Sequence, residues 1–273
     1  VATLPSERPI LALGADLKNT ITLVVEGQAF VSQHIGDLNH YQAFRAFQAT
    51  VRDLLAMYEI QLDKLLIVHD AHPQYVSTLH ALELGAAEKR AVQHHRAHIA
   101  SVIAERGAWD KRVIGVSFDG TGYGDDGTIW GGEIFAGSVA EGFERVAHLR
   151  SAALPGGDAA ASFPVQAAAG YLSQLANLTD LLDAPFSFPV RYQDALQVVR
   201  KNLRTFSTTS MGRLFDTAAA LLGFTREITF EGQAAMCLSG SLAARLRGMH
   251  MRFRLLLGSW IFGRCWKISF MTG

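Results

Sequence analysis

Cysteine is almost missing: Cys237 and Cys265 are the only two in 273 residues, and both lie near the C-terminus. They can build neither a disulfide framework nor a Cys-x-x-Cys zinc motif, so a reducing cytoplasm is the expected setting. No stretch is apolar for the roughly 20 residues that a membrane helix needs. Neither charge sign prevails, since 25 Lys and Arg offset 25 Asp and Glu, and nothing global argues for nucleic acid as a partner. The opening "VATLPSERP" has no signal-peptide pattern and no Met, which is the expectation for a piece of a longer chain. Acidic residues are missing from Gly232 to Gly273, where Arg245, Arg247, Arg252, Arg254, Arg264 and Lys267 stand. Two readings of residues 237–273 are open: a basic interaction arm, or a tail never selected with the fold, as a frameshift would leave. "LLLGSWIFG" favours the second, because a solvated arm would not carry it.

What is present suits a folded protein. Hydrophobic residues make up 49% and charged residues 18%, enough for a sizeable core in one large domain or two modest ones. "PILALGADLKNTITLVV" reads as strand, turn and strand, and "QAFVSQHIG" as a third strand. In "YQAFRAFQATVRDLLAMY", Phe44, Phe47, Val51, Leu54, Leu55 and Tyr58 recur at three- and four-residue steps, the period of an amphipathic helix. "KLLIVHD" is a buried-type strand ending on polar residues, and "YVSTLHALELGA" a second helix. "HIASVIAERG" is a third, ended by Gly107. "KRVIGVSFDGTGYGDDGTIWGGEIFAG" repeats the opening theme, with a strand over Val113–Phe118, a glycine-rich turn at Asp119, and a return strand over Thr128–Phe135. Segments from Pro164 onward look helical, "MGRLFDTAAALLGF" most clearly.

Two strand–turn–strand units, with Asp16 and Asp119 at their turns, suggest a duplicated nucleotide cleft. Such hairpins offer backbone N–H groups to phosphate and a carboxylate to a metal. "GADLKNT" alone is as well read as an ordinary hairpin. "FDGTGYGDDGTIWGG" carries more weight, because six glycines between Gly120 and Gly132 exceed what one turn needs. "VQHHRAHIAS" puts His94 and His98 at i and i+4, on one helical face. Two imidazoles can share a Zn²⁺ or Fe²⁺, but a third ligand must come from elsewhere, and a polar helix face is the commoner meaning. His95 points away from that pair and reads as a bystander or supporting donor. His69, Asp70 and His72 end a strand where open α/β sheets place their crevice. "LPGGDAA" reads as a loop into a helix with Asp158 as cap. No nucleophile with an activating base stands out.

Taken in order, "ILALGADLKNT", "QAFVSQHIGDL", "VQHHRAHIAS", "GVSFDGTGYGDDGTIWGGEIF", "LPGGDAA", "SMGRLFDTAAALLG" and "FEGQAAM" resemble the C-terminal half of the hydrogenase maturation carbamoyltransferases, the HypF family, over Pro9 to Met236. That half is similar to the tRNA threonylcarbamoyladenosine synthesis proteins. The resemblance implies an α/β fold, the duplicated actin, sugar-kinase and Hsp70-like nucleotide-binding architecture, with one lobe over 1–110 and a second, incomplete lobe over 111–236. It implies transfer of a carbamoyl group from carbamoyl adenylate to the C-terminal cysteine thiol of HypE, on the way to the cyanide ligand of [NiFe]-hydrogenase. His94 and His98 match the family's metal pair, for iron or zinc, and Asp119 is implied as a neighbour of that metal, both ligand and catalytic residue. ATP or carbamoyl adenylate would meet Asp16, Lys18, Asn19 and Thr20 in a first phosphate loop and Gly120, Thr121, Gly122, Tyr123 and Gly124 in a second. Gly156, Gly157 and Asp158 match a turn near the nucleotide. Gly212, Arg213 and Asp216 match a helix start facing its sugar or base.

The family's full-length enzyme carries an acylphosphatase-like domain, two zinc fingers and an adenylate-forming domain ahead of this region. Without them the chain is expected to need the remaining HypF domains and a supplied small-molecule carbamoyl donor. The family also continues past "EGQAAM" with a glycine-rich segment and a late metal-ligand aspartate, and no aspartate follows Asp216 here. A different class of reading is a non-catalytic remnant that docks HypE or HypF. A small-molecule kinase of the same fold is disfavoured by the histidine pair, since phosphoryl transfer there needs a carboxylate base and Mg²⁺.

Overall fold

The computed structural model describes residues 2–176 and 180–246. It divides into two compact units between Lys111 and Arg112. No helix among the described residues is long and apolar enough to cross a membrane.

The first unit begins with β1 (Ala2–Thr3), β2 (Ile10–Leu13), β3 (Ile21–Val25) and β4 (Gln28–Val31). α1 (Tyr41–Met57), β5 (Leu66–Asp70), α2 (Val76–Glu83), β6 (Glu88–Val92) and α3 (His94–Arg106) follow. The strands form one six-stranded sheet in the order β1-β4-β3-β2-β5-β6. β2, β3 and β4 are an antiparallel meander, while β5 and β6 join in parallel. The alternating apolar side of β2 and β3 supplies Leu11, Leu13, Ile21 and Leu23, all buried, and α1 lays Phe47 and Val51 on them. The other residues of its apolar stripe, Phe44, Leu54, Leu55 and Tyr58, pack at the margin of that core, as their spacing anticipates. α3 ends where Gly107 takes the left-handed conformation (φ 60°), the usual helix stop.

The second unit repeats the meander with β7 (Val113–Tyr123), β8 (Ile129–Ser138) and β9 (Gly142–His148), all antiparallel. β10 (Ala152–Pro155), α4 (Asp158–Ser162), α5 (Pro164–Leu172), α6 (Val190–Arg200), β11 (Thr205–Thr208), α7 (Met211–Leu221) and α8 (Gln233–Leu246) complete it. β11 pairs β10 antiparallel and meets β8 in parallel at Thr208 and Ile129. α5, rich in alanine and almost wholly buried, forms a core with Leu181, Phe188, Tyr192 of α6 and Ala220 of α7.

Three sequence expectations need correction. Asp119 does not sit at a hairpin tip: β7 runs on to Tyr123 across a register shift between Phe118 and Gly122, so the aspartate lies at an irregularity inside the strand. The stretch after Pro164 is not all helix, since β11 intervenes where β-branched Thr205 and Thr208 close the sheet. Asp158 is not a cap, because Gly157 holds the N-cap position and Asp158 is the first residue of α4. Beyond Met236, where no lasting period is visible in the sequence, α8 continues to Leu246, anchored by Ala234 and Leu238 against Ala219 of α7. The rest of the atypical tail, 247–273, lies outside the described residues.

Candidate functional site

In the first unit the chemistry gathers at the C-terminal edge of the sheet. Asp70 ends β5, and its register partner Val92 ends β6, so the aspartate stands beside the start of α3. Gln93 caps that helix, its Oε1 accepting from the backbone N–H of His95 (2.8 Å) and of Arg96 (3.1 Å). With the amide oxygen so used, Gln93 Nε2 faces His95 Nδ1 at 3.0 Å and donates to it. His95 is thereby locked into the interior with no exposure at all, in keeping with its exclusion from the His94–His98 pair.

His94 and His98 meet as their spacing implies. Their Nε2 atoms are 3.1 Å apart and their rings lie edge to face. His94 Nδ1 is 3.1 Å from Asp70 Oδ2. Two nitrogens each about 2.0–2.1 Å from a tetrahedral zinc stand about 3.3 Å apart, so the pair fits two ligand positions of such an ion.

The turn between β2 and β3 is held tightly. Asp16 is buried and reaches residues 60 positions away in sequence: Oδ2 accepts from Val76 N (2.9 Å). Its Oδ1 accepts from the backbone N–H of Ser77 at 3.0 Å and its hydroxyl at 2.9 Å. It therefore serves the first turn of α2, where negative charge is favoured. Asn19 donates from Nδ2 to Ala15 O (2.7 Å), and its backbone N–H donates to Gly36 O at 2.9 Å. Lys18 between them is exposed with φ 52°, and Thr20 is half-buried.

In the second unit, the β7 irregularity and the start of α7 come together. Asp119 Oδ1 accepts from Gly120 N at 2.6 Å. Ser210, the N-cap of α7, accepts from Arg213 N (3.0 Å) and donates its hydroxyl to Gly120 O (2.7 Å). A Cβ on Gly212 would stand 2.7 Å from Gly120 Cα, closer than such atoms approach, so only glycine fits. Gly212→Ala is expected to cost about 1–3 kcal/mol in urea unfolding by forcing these backbones apart. Parity with wild type would contradict the close packing. Thr121 is exposed, Gly122 and Gly124 are buried, and Tyr123 lies between. Thus Asp119–Gly124 joins Gly212, Arg213 and Asp216, while Gly156 and Gly157 pack elsewhere, on Gln166 and Phe206. Asp158 starts α4 beside them.

Arg213 Nε lies 3.1 Å from Asp216 Oδ2, both largely buried. Burial pushes the Asp216 carboxyl up to about 6, against the opposing pull of Arg213. Folded Asp216 thus holds its proton more tightly than unfolded, so its contribution to stability is fully present below about pH 4 and is lost as pH rises to about 6. The stability advantage of wild type over Asp216→Asn should shrink by about 2 kcal/mol across that window, read from urea midpoints. Parallel pH profiles would rule this out.

Sequence reasoning passed over Glu133 and Ser210. Glu133, fully buried, accepts from Gly131 N and Gly132 N (3.1 Å each), from the Thr209 hydroxyl and from Arg145 Nε at 2.6 Å. It ties β8 to the residues just before α7. A carboxylate in an otherwise apolar, glycine-flanked strand ("WGGEIF") was the available signal.

Residues 5–105 match the family model described as the HypF Kae1-like domain. Residues 115–261 match that of the carbamoyltransferase Kae1-like domain, second subdomain, a match that runs past Met236. Carbamoyltransferase HypF of Synechocystis sp. is 38% identical over 89% of this chain and 33% of its own length. Carbamoyltransferase HypF2 of Cupriavidus necator is 42% identical over 85% of this chain and 28% of its own. The chain therefore spans about a third of these relatives. A crystal structure of full-length HypF in a phosphate- and nucleotide-bound form superposes with a TM-score of 0.76 at 37% identity, covering 86% of this chain and 31% of that one. HypF of T. kodakarensis gives 0.76 at 29% identity, over 91% and 38%. The mixed α/β architecture and these neighbours bear out the expected actin-like fold class.

Proposed function

Since this chain belongs to the HypF Kae1-like domain family, we propose that it carries out the carbamoyl-transfer step of such an enzyme. The acceptor is the C-terminal cysteine thiol of HypE, and the donor is carbamoyl adenylate made by the remaining HypF domains. In the transfer, sulfur attacks the carbamoyl carbon, the C–O bond of the mixed anhydride breaks, AMP leaves, and the thiol proton passes to water. The setting is the cytoplasm, and the product supplies the hydrogenase cyanide ligand.

The observation that carries this reading is the His94–His98 pair, whose converging Nε2 atoms suit two positions of a zinc or iron ion. Asp119 is the third ligand in this reading. A bound metal would polarise the carbonyl and offset phosphate charge. The chain's own residues do the rest. The loops Gly120–Gly124 and Asp16–Thr20 meet the phosphate oxygens in this reading, through N–H groups other than those of Gly120, Gly124 and Asn19, which already donate to Asp119, Thr128 and Gly36. Gly212, Arg213 and Asp216 face the sugar or base in this reading, and the separate turn Gly156, Gly157 and Asp158 lies near the nucleotide. With the nucleophile on the partner, the chain needs no reactive cysteine of its own.

Isothermal titration with ATP, with and without Zn²⁺, tests the reading. Wild type should bind nucleotide more tightly with zinc, and His94→Ala should lose that increment. Identical heats for both proteins under both conditions would sink the site.

A further inference from the structure

We propose that Asp70 is a positioning residue that fixes the tautomer and direction of His94 for metal capture; the inference rests on the metal reading above. Asp70 is itself held on several sides. Its backbone carbonyl accepts from the Thr78 hydroxyl (3.0 Å) and lies 2.8 Å from His69 Nδ1. Its Oδ1 accepts from His72 N at 2.8 Å. Only 9% of the residue is exposed. A carboxylate so anchored has one oxygen, Oδ2, directed at His94 Nδ1 at 3.1 Å.

A carboxylate can only accept, so the shared proton belongs to the ring and His94 is the Nδ1–H tautomer. Its Nε2 then carries the lone pair, on the atom that faces His98 Nε2. An imidazole in water prefers the opposite tautomer, with the proton on Nε2, which would block this lone pair. The carboxylate reverses that preference, stops the ring from turning about χ2, and makes the ligand nitrogen more basic. Asp70 meets the ring at Nδ1 and not at the converging nitrogens, so its action on a metal passes through His94. His69 and His72 serve the same arrangement by bracketing the end of β5.

The test uses the whole chain, uniformly ¹⁵N-labelled, as wild type, Asp70→Ala and Asp70→Asn. Long-range ¹H–¹⁵N NMR reads the His94 tautomer, and calorimetry with Zn²⁺ alone reads affinity. Wild type should give the Nδ1–H pattern. Asp70→Ala should shift to Nε2–H and lose about 10–100-fold in zinc affinity. Asp70→Asn, whose amide oxygen still accepts from Nδ1–H, should keep the tautomer and lose about tenfold. It carries the test if the alanine variant does not fold. An Nε2–H pattern in wild type overturns the inference, as do folded variants within about twofold of wild type in zinc affinity. Those results leave the metal reading standing if wild type binds zinc. Failure of wild type to bind zinc removes the metal reading and this inference with it.

Discussion

Glu133→Ala should lower the unfolding free energy by about 3–5 kcal/mol, the largest stability loss expected from any single substitution considered for this chain. The reason is what the carboxylate leaves behind. Two backbone N–H groups, of Gly131 and Gly132, lose their acceptor inside the protein, as does the Thr209 hydroxyl. Arg145, 18% exposed in its side chain and stacked 3.8 Å over Trp130, loses its close carboxylate partner and is left with the more distant Asp126 at 3.6 Å among the described residues. Removing one member of a buried ion pair costs more than the pair contributes, because the other charge stays out of water. Glu133→Gln retains one acceptor oxygen but turns an amide toward the guanidinium, and should cost about 1–3 kcal/mol. Urea unfolding followed by far-UV circular dichroism measures both. A loss within about 0.5 kcal/mol, the range of ordinary surface changes, would show that Glu133 does not hold the strand to α7.

His94→Ala should reduce zinc affinity by more than about 100-fold, beyond what changes to outer hydrogen-bond partners cost. It removes a donor nitrogen and also frees the Asp70 carboxylate. His95→Ala is the contrasting case. That ring has no exposure and is clasped by Gln93, so its removal should destabilise the fold by about 2 kcal/mol or more while leaving zinc affinity within a few-fold. Calorimetry and thermal melts on the two variants separate the roles of adjacent histidines. Equal zinc loss in both would mean that the effect is structural.

Much of the architecture was legible because periodicity is a local property. The Phe44–Tyr58 stripe, the alternation in β2 and β3, and Gly107 as a helix stop are all decided by residues within a few positions. The duplicated hairpins were legible for the same reason, and both open antiparallel meanders. What escaped depends on distance. β11 is four residues whose strand state comes from pairing with β10, some 50 residues earlier. β9 drew no assignment from the sequence, and its alternation of half-buried and exposed residues has meaning only beside β8. Asp16 looked like a turn residue facing a ligand, and only the fold brings it to Val76 and Ser77. The histidine pair was visible in the sequence, but Asp70, needed to aim it, was only part of a weak cluster. Spacing gives which residues share a helical face; it does not give the hydrogen bond that orients one of them.

The most direct measurement supplies what the remaining domains would make. Carbamoyl adenylate is mixed with the chain, Zn²⁺ and HypE, and the HypE C-terminal peptide is examined by mass spectrometry. The peptide should gain one carbamoyl group on its cysteine, faster than in a mixture lacking the chain, with His94→Ala returning the rate to that background. Carbamoylation at the background rate with wild type, from a chain that binds nucleotide and zinc, would contradict carbamoyl transfer as its function.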